Sequence, residues 1–257
     1  MQRRSFIGIA AATLAAPAVL AQTEPARVAC ASDLQFALPE VADRFQRSTP
    51  HRVELSFGSS GNFARQIQQG APLDLFFSAD ESFVVQLADA GLTRDRGSLY
   101  AIGRIALIVP TASGIPLDDQ LAGLKREWAQ VRRFAIGNPE HAPYGRAARE
   151  ALQKLGLWSQ AQDRLVLGEN ISQATQYVST GAAQAGITAL SLALAPPVAA
   201  QTRHAALPDS LHQPLRQRMV LLKNARPSAE AFHAFVSTPE ARAMLSRYGF
   251  TAPSGGG

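Results

Sequence analysis

The feature of this sequence that most constrains its fold is the alternation of short β-rich runs with helical stretches. Six runs rich in aliphatic, β-branched or aromatic residues have the length of strands. They cover residues 27–31, 52–57, 73–77, 104–109, 133–136 and 185–188. Because helical stretches separate the runs, the pattern predicts an α/β fold with mostly parallel sheets and helices on both faces.

Four of the intervening stretches carry signals for the start and end of a helix. Two predicted helices follow Ser60 and Ser78, and Glu81 completes a capping box with Ser78. The other two are expected over about 145–155 and 172–180. The glycines expected to end the four helices are Gly70, Gly91, Gly156 and Gly181.

A fifth stretch has an apolar stripe at helical spacing but contains a proline. The stripe consists of Leu34, Ala37, Val41 and Phe45, and Pro39 lies in its second turn. Proline cannot donate the backbone hydrogen bond of a helix interior, so we expect a kink or a later start of the helix.

The N-terminal residues 1–21 have the three zones of a signal peptide. Arg3 and Arg4 precede an apolar run that ends in small residues, so cleavage is expected after Ala21. The run is shorter than the roughly 20 apolar residues of a membrane-spanning helix. We therefore expect a soluble, exported protein, and the paired arginines leave the twin-arginine and the ordinary export routes both open.

The composition of the remaining chain excludes several classes of partner. Loss of the leader leaves 23 of the 25 basic side chains against 20 acidic ones, with no basic run interleaved with aromatic residues. This pattern does not indicate a nucleic-acid surface. Cys30 is the one cysteine, so it forms no internal disulfide, and we expect it to be a small buried core residue. Residues 254–257 are expected to form a flexible tail.

Motifs of hydrolases, nucleotide-binding proteins and zinc enzymes are absent from the sequence. It contains no Gly-x-Ser-x-Gly elbow, no phosphate-binding loop ending in Gly-Lys-Ser/Thr, and no His-Glu-x-x-His pair. The histidines show no ligand spacing: they are His51, His141, His204, His212 and His233. The sequence therefore disfavours a zinc enzyme or a catalytic triad.

Small polar turns recur where a predicted strand meets a predicted helix. They are Ala31-Ser32-Asp33, Gly58-Ser59-Ser60-Gly61, Pro143-Tyr144-Gly145 and Glu169-Asn170-Ile171-Ser172. A single serine before a helix is most often only an N-cap. Four such turns at the carboxyl ends of strands would present free N–H groups and hydroxyls together, which is a suitable environment for an anion.

Three stretches resemble the periplasmic molybdate-binding proteins of ABC importers. They are SSGNFARQI at 59–67 with GAPLDLFFSAD at 70–80, GNPEHAPYG at 137–145, and RYGF at 247–250. The resemblance extends over about 27–251. It implies a two-lobed type II periplasmic binding protein, with a mostly parallel sheet and flanking helices in each lobe and the ligand in the cleft between them.

The resemblance also implies where the chain divides. The first lobe would be discontinuous, with residues 24–102 and 217–253, and the second would span 103–216. The chain would cross between lobes near Arg104 to Val109 and near Leu215 to Leu222.

The oxyanion ligands implied by the resemblance fall on Ser32, Asp33, Ser60, Tyr144 and Ile171. Ser60 would offer its hydroxyl and its amide, and Ile171 its backbone N–H. Some members of the family use a tyrosine hydroxyl at the position of Ala189, which Tyr144 would replace here.

Asp33 departs from the serine or asparagine that is usual in the family, because a carboxylate repels a dianion. Three explanations are open: the side chain caps its own helix, which is the favoured one, or it is protonated, or the cargo is not molybdate.

The implied function is capture of molybdate and tungstate in the periplasm, for the permease of an ABC importer, by a monomer without a cofactor. Molybdenum would enter only as the oxyanion, held by Ser32, Ser60, Tyr144 and Ile171. Alternatives are another small anion or an organic acid, a sensor that docks to a receptor, or a secreted hydrolase with Ser60 as nucleophile and His141 as base.

Overall fold

The structure, a computed structural model, describes residues 24–253 and contains two five-stranded sheets. The predicted signal peptide and the predicted tail lie outside the described residues. The strands are β1 (Ala26–Ala31), β2 (Val53–Gly58), β3 (Leu75–Ser78), β4 (Ser98–Gly103), β5 (Ile105–Pro110), β6 (Phe134–Gly137), β7 (Leu165–Gly168), β8 (Ala185–Ala189), β9 (Thr202–Ala206) and β10 (Leu215–Leu221).

Helices connect most of the strands and cover the sheets. They are α1 (Ala37–Ser48), α2 (Ser60–Gln68), α3 (Glu81–Asp89), α4 (Ala122–Arg126), α5 (Pro143–Lys154), α6 (Trp158–Gln162), α7 (Ile171–Ser179), α8 (Leu190–Ala193), α9 (Pro196–Ala199), α10 (Pro227–Val236) and α11 (Pro239–Arg247). Short 3₁₀ turns cover Ser32–Leu34, Trp128–Gln130 and Asp209–Leu211. Within the described range, none of these helices has the length and apolar character needed to cross a bilayer.

The two sheets have matching topologies. The first has the order β2-β1-β3-β10-β4 and the second the order β7-β6-β8-β5-β9. In each sheet one inserted strand, β10 or β5, runs antiparallel to both neighbours, and the other strands share one direction. The predicted α/β fold with mostly parallel sheets and two lobes is confirmed.

The sheets of the two lobes are linked at two places. β4 passes into β5 through Arg104 alone, and residues 207–214 connect β9 to β10. The runs 104–109 and 215–222 that the sequence assigned to the crossings are therefore mainly strands, each within a single sheet. The predicted boundaries after 102 and before 217 cut the last residue from β4 and the first two from β10.

Both faces of the first sheet are covered, which explains why its central strands β1 and β3 are mostly apolar. Val28 and Cys30 of β1 contact the cluster that includes α1, α10 and α11, whereas Ala29 contacts the cluster of α2 and α3. Cys30 is fully buried, as predicted.

The six predicted strands are present. β10 was predicted only as a crossing between the lobes, and β4, β7 and β9 were missed. Each of these three is the last strand at an edge of its sheet. An edge strand pairs on one side and is partly exposed, so its apolar pattern is weaker than that of a central strand. β9, for example, reads Thr-Arg-His-Ala-Ala.

Helix starts were predicted less accurately than helix ends. α3 is capped by Asp80, whose side chain accepts from the N–H of Ser82 at 2.9 Å, so the predicted capping box of Ser78 and Glu81 is wrong. The Ser78 hydroxyl instead donates to the carbonyl of Asp80 at 2.7 Å. α1 begins at Ala37, which confirms the later start and leaves Pro39 in the first turn, where no N–H is needed. The four predicted glycines all have positive φ.

Candidate functional site

The four polar turns meet at one cavity between the lobes. They follow β1, β2, β6 and β7, so all of them lie at the carboxyl ends of strands. The cavity is small: about 10 Å³ is open to the centre of a water-sized sphere, enough for one water, whereas drug-sized ligands occupy pockets of roughly 300–1,000 Å³. All five residues predicted from the resemblance line it: Ser32, Asp33, Ser60, Tyr144 and Ile171.

Ser60 is the first residue of α2 and is buried at the cavity wall. Its Oγ accepts from the N–H of Ala79 at 3.0 Å, and no acceptor within the described chain takes its hydroxyl proton. The N–H groups in the first turn of a helix also lack intrahelical partners. Ser60 can therefore donate from both its hydroxyl and its amide.

Ser32 and Ile171 face the same cavity from opposite lobes. Ser32 is held in place by Ser172, whose hydroxyl donates to the Ser32 carbonyl at 2.8 Å. Ile171 opens α7, and the Asn170 side chain caps this helix by accepting from the N–H of Gln173 at 3.1 Å. The Ile171 N–H therefore belongs to the unpaired first turn of a helix whose positive dipole end points toward the cavity.

Asp33 lies at the centre of a buried polar network that the sequence did not predict. Its Oδ2 accepts from the Tyr144 hydroxyl at 2.9 Å and from Gln217 Nε2 at 2.6 Å. Gln217 Nε2 also lies 2.9 Å from the Tyr144 hydroxyl, and Gln217 Oε1 accepts from the Tyr100 hydroxyl at 2.6 Å. The expectation that Asp33 caps its own helix is wrong, because these partners lie on β10 and α5.

Tyr144 lines the cavity, but its hydroxyl proton is directed to Asp33. A phenol has a single proton to donate, and here Asp33 Oδ2 accepts it. In this arrangement Tyr144 positions Asp33 and does not act as a free donor toward the cavity.

Burial determines the electrostatics of this network. Burial raises the pKa of Asp33 to about 6, against the lowering effect of the hydrogen bonds from Gln217 and Tyr144. Burial, followed by the nearby Asp33 charge, holds the pKa values of Cys30, Tyr100 and Tyr144 well above their usual ranges. These three groups are therefore neutral near pH 7, and Asp33 is the acid that titrates.

Contacts between the lobes enclose the cavity. They join Ser32 to Ser172, Asp33 to Ser191, Gly61 to His141 and Asp80 to Arg146, at 2.8, 2.8, 3.0 and 3.0 Å. A further hydrogen bond joins the side chains of Asn62 and Glu169. The structure is therefore a closed arrangement of the two lobes.

The pairing proposed for a hydrolase is not present. Ser60 bonds to Ala79, whereas Ser59 is the serine beside His141, with Oγ 2.9 Å from Nδ1. The Ser59 hydroxyl donates to the backbone carbonyl of His141 at 2.5 Å, so Nδ1 acts as the donor to Oγ and not as a base toward it. The described residues also contain no group of three or more His, Cys, Asp or Glu side chains that could hold a metal ion.

The protein family of bacterial extracellular solute-binding proteins matches this chain over residues 26–251, which is nearly all of the described range. The chain belongs to this family. Its members bind solutes for transport, which agrees with a small cavity closed between two lobes.

Relatives of this solute-binding protein support a narrower resemblance. The molybdate-binding protein ModA of Azotobacter vinelandii is 34% identical over 236 residues, which cover 91% of this chain and 92% of the relative. ModA of Rhodobacter capsulatus is 36% identical over 225 residues, 86% of each chain. The predicted resemblance to molybdate-binding proteins is confirmed.

A solved structure agrees with the two-lobed fold of this solute-binding protein. The periplasmic molybdate-binding protein of Azotobacter vinelandii superposes with a TM-score of 0.80 at 32% identity, covering 89% of this chain and all of the other. The assignment of individual ligand residues stays a prediction, for which the geometry above provides the basis.

Proposed function

We propose that this solute-binding protein captures molybdate in the periplasm and delivers it to the permease of an ABC importer. The observation that carries the proposal is the set of donors from Ser32, Ser60 and Ile171 around one small cavity between the lobes. The relatives named as molybdate-binding proteins, similar over most of the chain, support the choice of anion.

Capture would require binding and closure without chemistry. The hydroxyls and the N–H groups at the starts of α2 and α7 would replace the water around a desolvated oxyanion. Each charge-assisted hydrogen bond contributes about 1.5–3 kcal/mol. Molybdate and sulfate are tetrahedral dianions with the same acceptors, so cavity size would discriminate between them, and tungstate, which is close in size to molybdate, would bind too.

The protein would act as a monomer, with no resident cofactor and no turnover of its ligand. The leader at residues 1–21 would direct export, by the twin-arginine or the ordinary route. The permease would recognise the closed pair of lobes, which the bound anion would stabilise through its contacts with donors from both lobes.

Isothermal titration calorimetry of the anion-free mature protein with molybdate, tungstate, sulfate and phosphate tests this proposal. We expect dissociation constants below about 1 μM for molybdate and tungstate and much weaker sulfate binding. Ser60→Ala should weaken molybdate binding by about tenfold to a hundredfold, because it removes one donor to a charged group. Ser246→Ala, on the exposed face of α11, is the matched control and should leave affinity unchanged.

Asp33 gives a specific reason to keep phosphate in the panel. A carboxylate can accept the O–H of a protonated oxyanion, which a site of donors alone cannot do. Tight phosphate binding without molybdate binding would mean that the cargo is a protonated oxyanion and not molybdate. If none of the four anions binds, the result would contradict capture of molybdate and capture of a protonated oxyanion alike.

A further inference from the structure

Asp33 has a buried acceptor atom that the protein leaves without a partner. The side chain is 1% exposed, and both donors described above bond to Oδ2. Within the described residues, Oδ1 is buried and accepts no hydrogen bond. Buried carboxylate oxygens are normally paired, so an unpaired one beside a ligand cavity suggests that its partner arrives with the ligand.

Within residues 24–253, no positive side chain is paired with Asp33. Its neighbours are the phenols of Tyr100 and Tyr144, the thiol of Cys30 and the amide of Gln217, and Ser191 donates to its backbone carbonyl. Among the described residues Asp33 forms no ion pair, and Arg146, two residues after Tyr144, is already paired with Asp80. The network is thus built from neutral groups around one acid.

A dianion in this cavity and an ionised Asp33 would repel each other with little water between them. Electrostatic interactions strengthen as water is excluded. The lobes cannot relieve the repulsion by turning the side chain away, because Oδ2 is fixed by donors from two elements. Neutralising Asp33 is the remaining way to place a dianion beside it.

We propose, on the basis of the proposed function, that Asp33 takes up one proton at Oδ1 when the cavity binds an oxyanion dianion. The proton comes from the solvent and forms an O–H bond, and the carboxylate loses its charge. Oδ1 then changes from an unpaired acceptor into a donor for which the bound anion supplies the acceptor. Release of the anion returns the proton to the solvent, so no other reactant is required.

This coupling predicts a proton stoichiometry that calorimetry can measure directly. Molybdate is titrated at pH 7.0 into the mature protein in PIPES, MOPS and Tris, buffers that differ in their enthalpy of ionisation. The slope of the observed enthalpy against the ionisation enthalpy of the buffer gives the protons taken up per anion. Because a group of pKa about 6 is about nine-tenths ionised at pH 7, we expect uptake of about 0.9 proton per molybdate.

Two variants test whether Asp33 is the group that takes up the proton. Asp33→Asn should bind molybdate with uptake close to zero, whereas Asp43→Asn, an exposed carboxyl on α1, should keep the wild-type value. The affinity of the wild type should also fall by about tenfold per pH unit above pH 7, since the bound form holds the extra proton, and that of Asp33→Asn should stay flat.

The wild-type protein alone can overturn the inference. Tight molybdate binding with no proton uptake would reject it and leave the proposed function intact, whereas absence of binding would reject the proposed function itself. Uptake that persists in Asp33→Asn would also reject it. Should that variant fail to fold, infrared difference spectra of the wild type must show a new protonated-carboxyl C=O band on molybdate binding, and its absence would reject the inference.

Discussion

At the scale of single residues, the buried polar network depends on a glycine that lies against it. A Cβ added at Gly103 would lie 2.3 Å from the Tyr144 hydroxyl oxygen and 2.7 Å from Gln217 Nε2. Both distances are too short for any real contact, so a larger residue must displace the two donors of Asp33. Gly103 therefore makes room for the network at the last position of β4.

We predict that Gly103→Ala destabilises the protein by about 1–3 kcal/mol, the usual range for overpacking a buried site. The displaced donors would also weaken the hold on Asp33. Urea unfolding of the anion-free protein measures the change. Gly114→Ala is the matched control, because nothing lies within 4 Å of its added Cβ. Equal stability of the two variants would show that the network tolerates displacement.

The sequence predicted the lining of the cavity but not the network behind it. Ser32, Ser60 and Tyr144 belong to turns that follow predicted strands, so local patterns place them. The turn of Ile171 was predicted from its polar residues, although the strand before it, β7, was missed. Gln217 lies within the strand β10, at a distance of many residues from its partners, and no local motif marks a polar side chain that is buried by tertiary contacts. Its one sequence signal is an amide in an otherwise charged and aliphatic strand.

At the scale of elements, Asp80 combines two roles at the start of α3. One carboxylate oxygen caps the helix by accepting from the Ser82 N–H, and the other forms the ion pair with Arg146 of the second lobe. The Arg146 side chain is about a third exposed, so the ion pair is screened by solvent and contributes little. The cap should therefore dominate the energetics.

We predict that Asp80→Ala lowers the free energy of unfolding by about 1 kcal/mol, through loss of the cap. Asp80→Asn should lower it by less than half of that, because asparagine retains a capping oxygen and loses only the charge. Urea unfolding of both variants separates the two contributions. Equal losses in the two variants would mean that the ion pair, which both variants lack, is the important interaction and the cap is not.

Three of the strands that the sequence missed have a feature in common. β4, β7 and β9 lie at sheet edges, where a strand is specified by a partner on one side and by distant chain segments. Central strands such as β1, β3 and β5 are buried on both faces, so their composition alone predicts them. Capping of α3 was misread because Ser78 and Asp80 are both capable caps, and the choice between them depends on where β3 ends.

At the scale of the whole molecule, the closed lobes couple the titration of Asp33 to stability. Tyr144 and Ser191 of the second lobe help to cover a carboxyl of the first. Burial raises the folded-state pKa of Asp33 from 3.8 to about 6. The folded protein therefore holds this proton more tightly than the unfolded chain, so the stabilisation is complete below pH 4 and is lost as pH rises through 6.

We predict that the unfolding free energy of the wild type, relative to that of Asp33→Asn, falls by about 2–3 kcal/mol between pH 4 and pH 7. The asparagine cannot titrate, so the difference between the two proteins isolates the contribution of Asp33. Urea unfolding at the two pH values, without anion, provides the measurement. Parallel changes in both proteins would indicate that Asp33 titrates normally in the fold.

The insertion of β10 between β3 and β4 has a consequence for biosynthesis. In its sheet β4 pairs with β10, and its further bridge joins Ile102 to Thr251, so both contacts come from the end of the chain. A nascent chain therefore carries β4 without its partner until residues 215–221 have left the ribosome. All strands of the second sheet lie between residues 105 and 206. The second sheet can therefore be complete while the first still lacks β10.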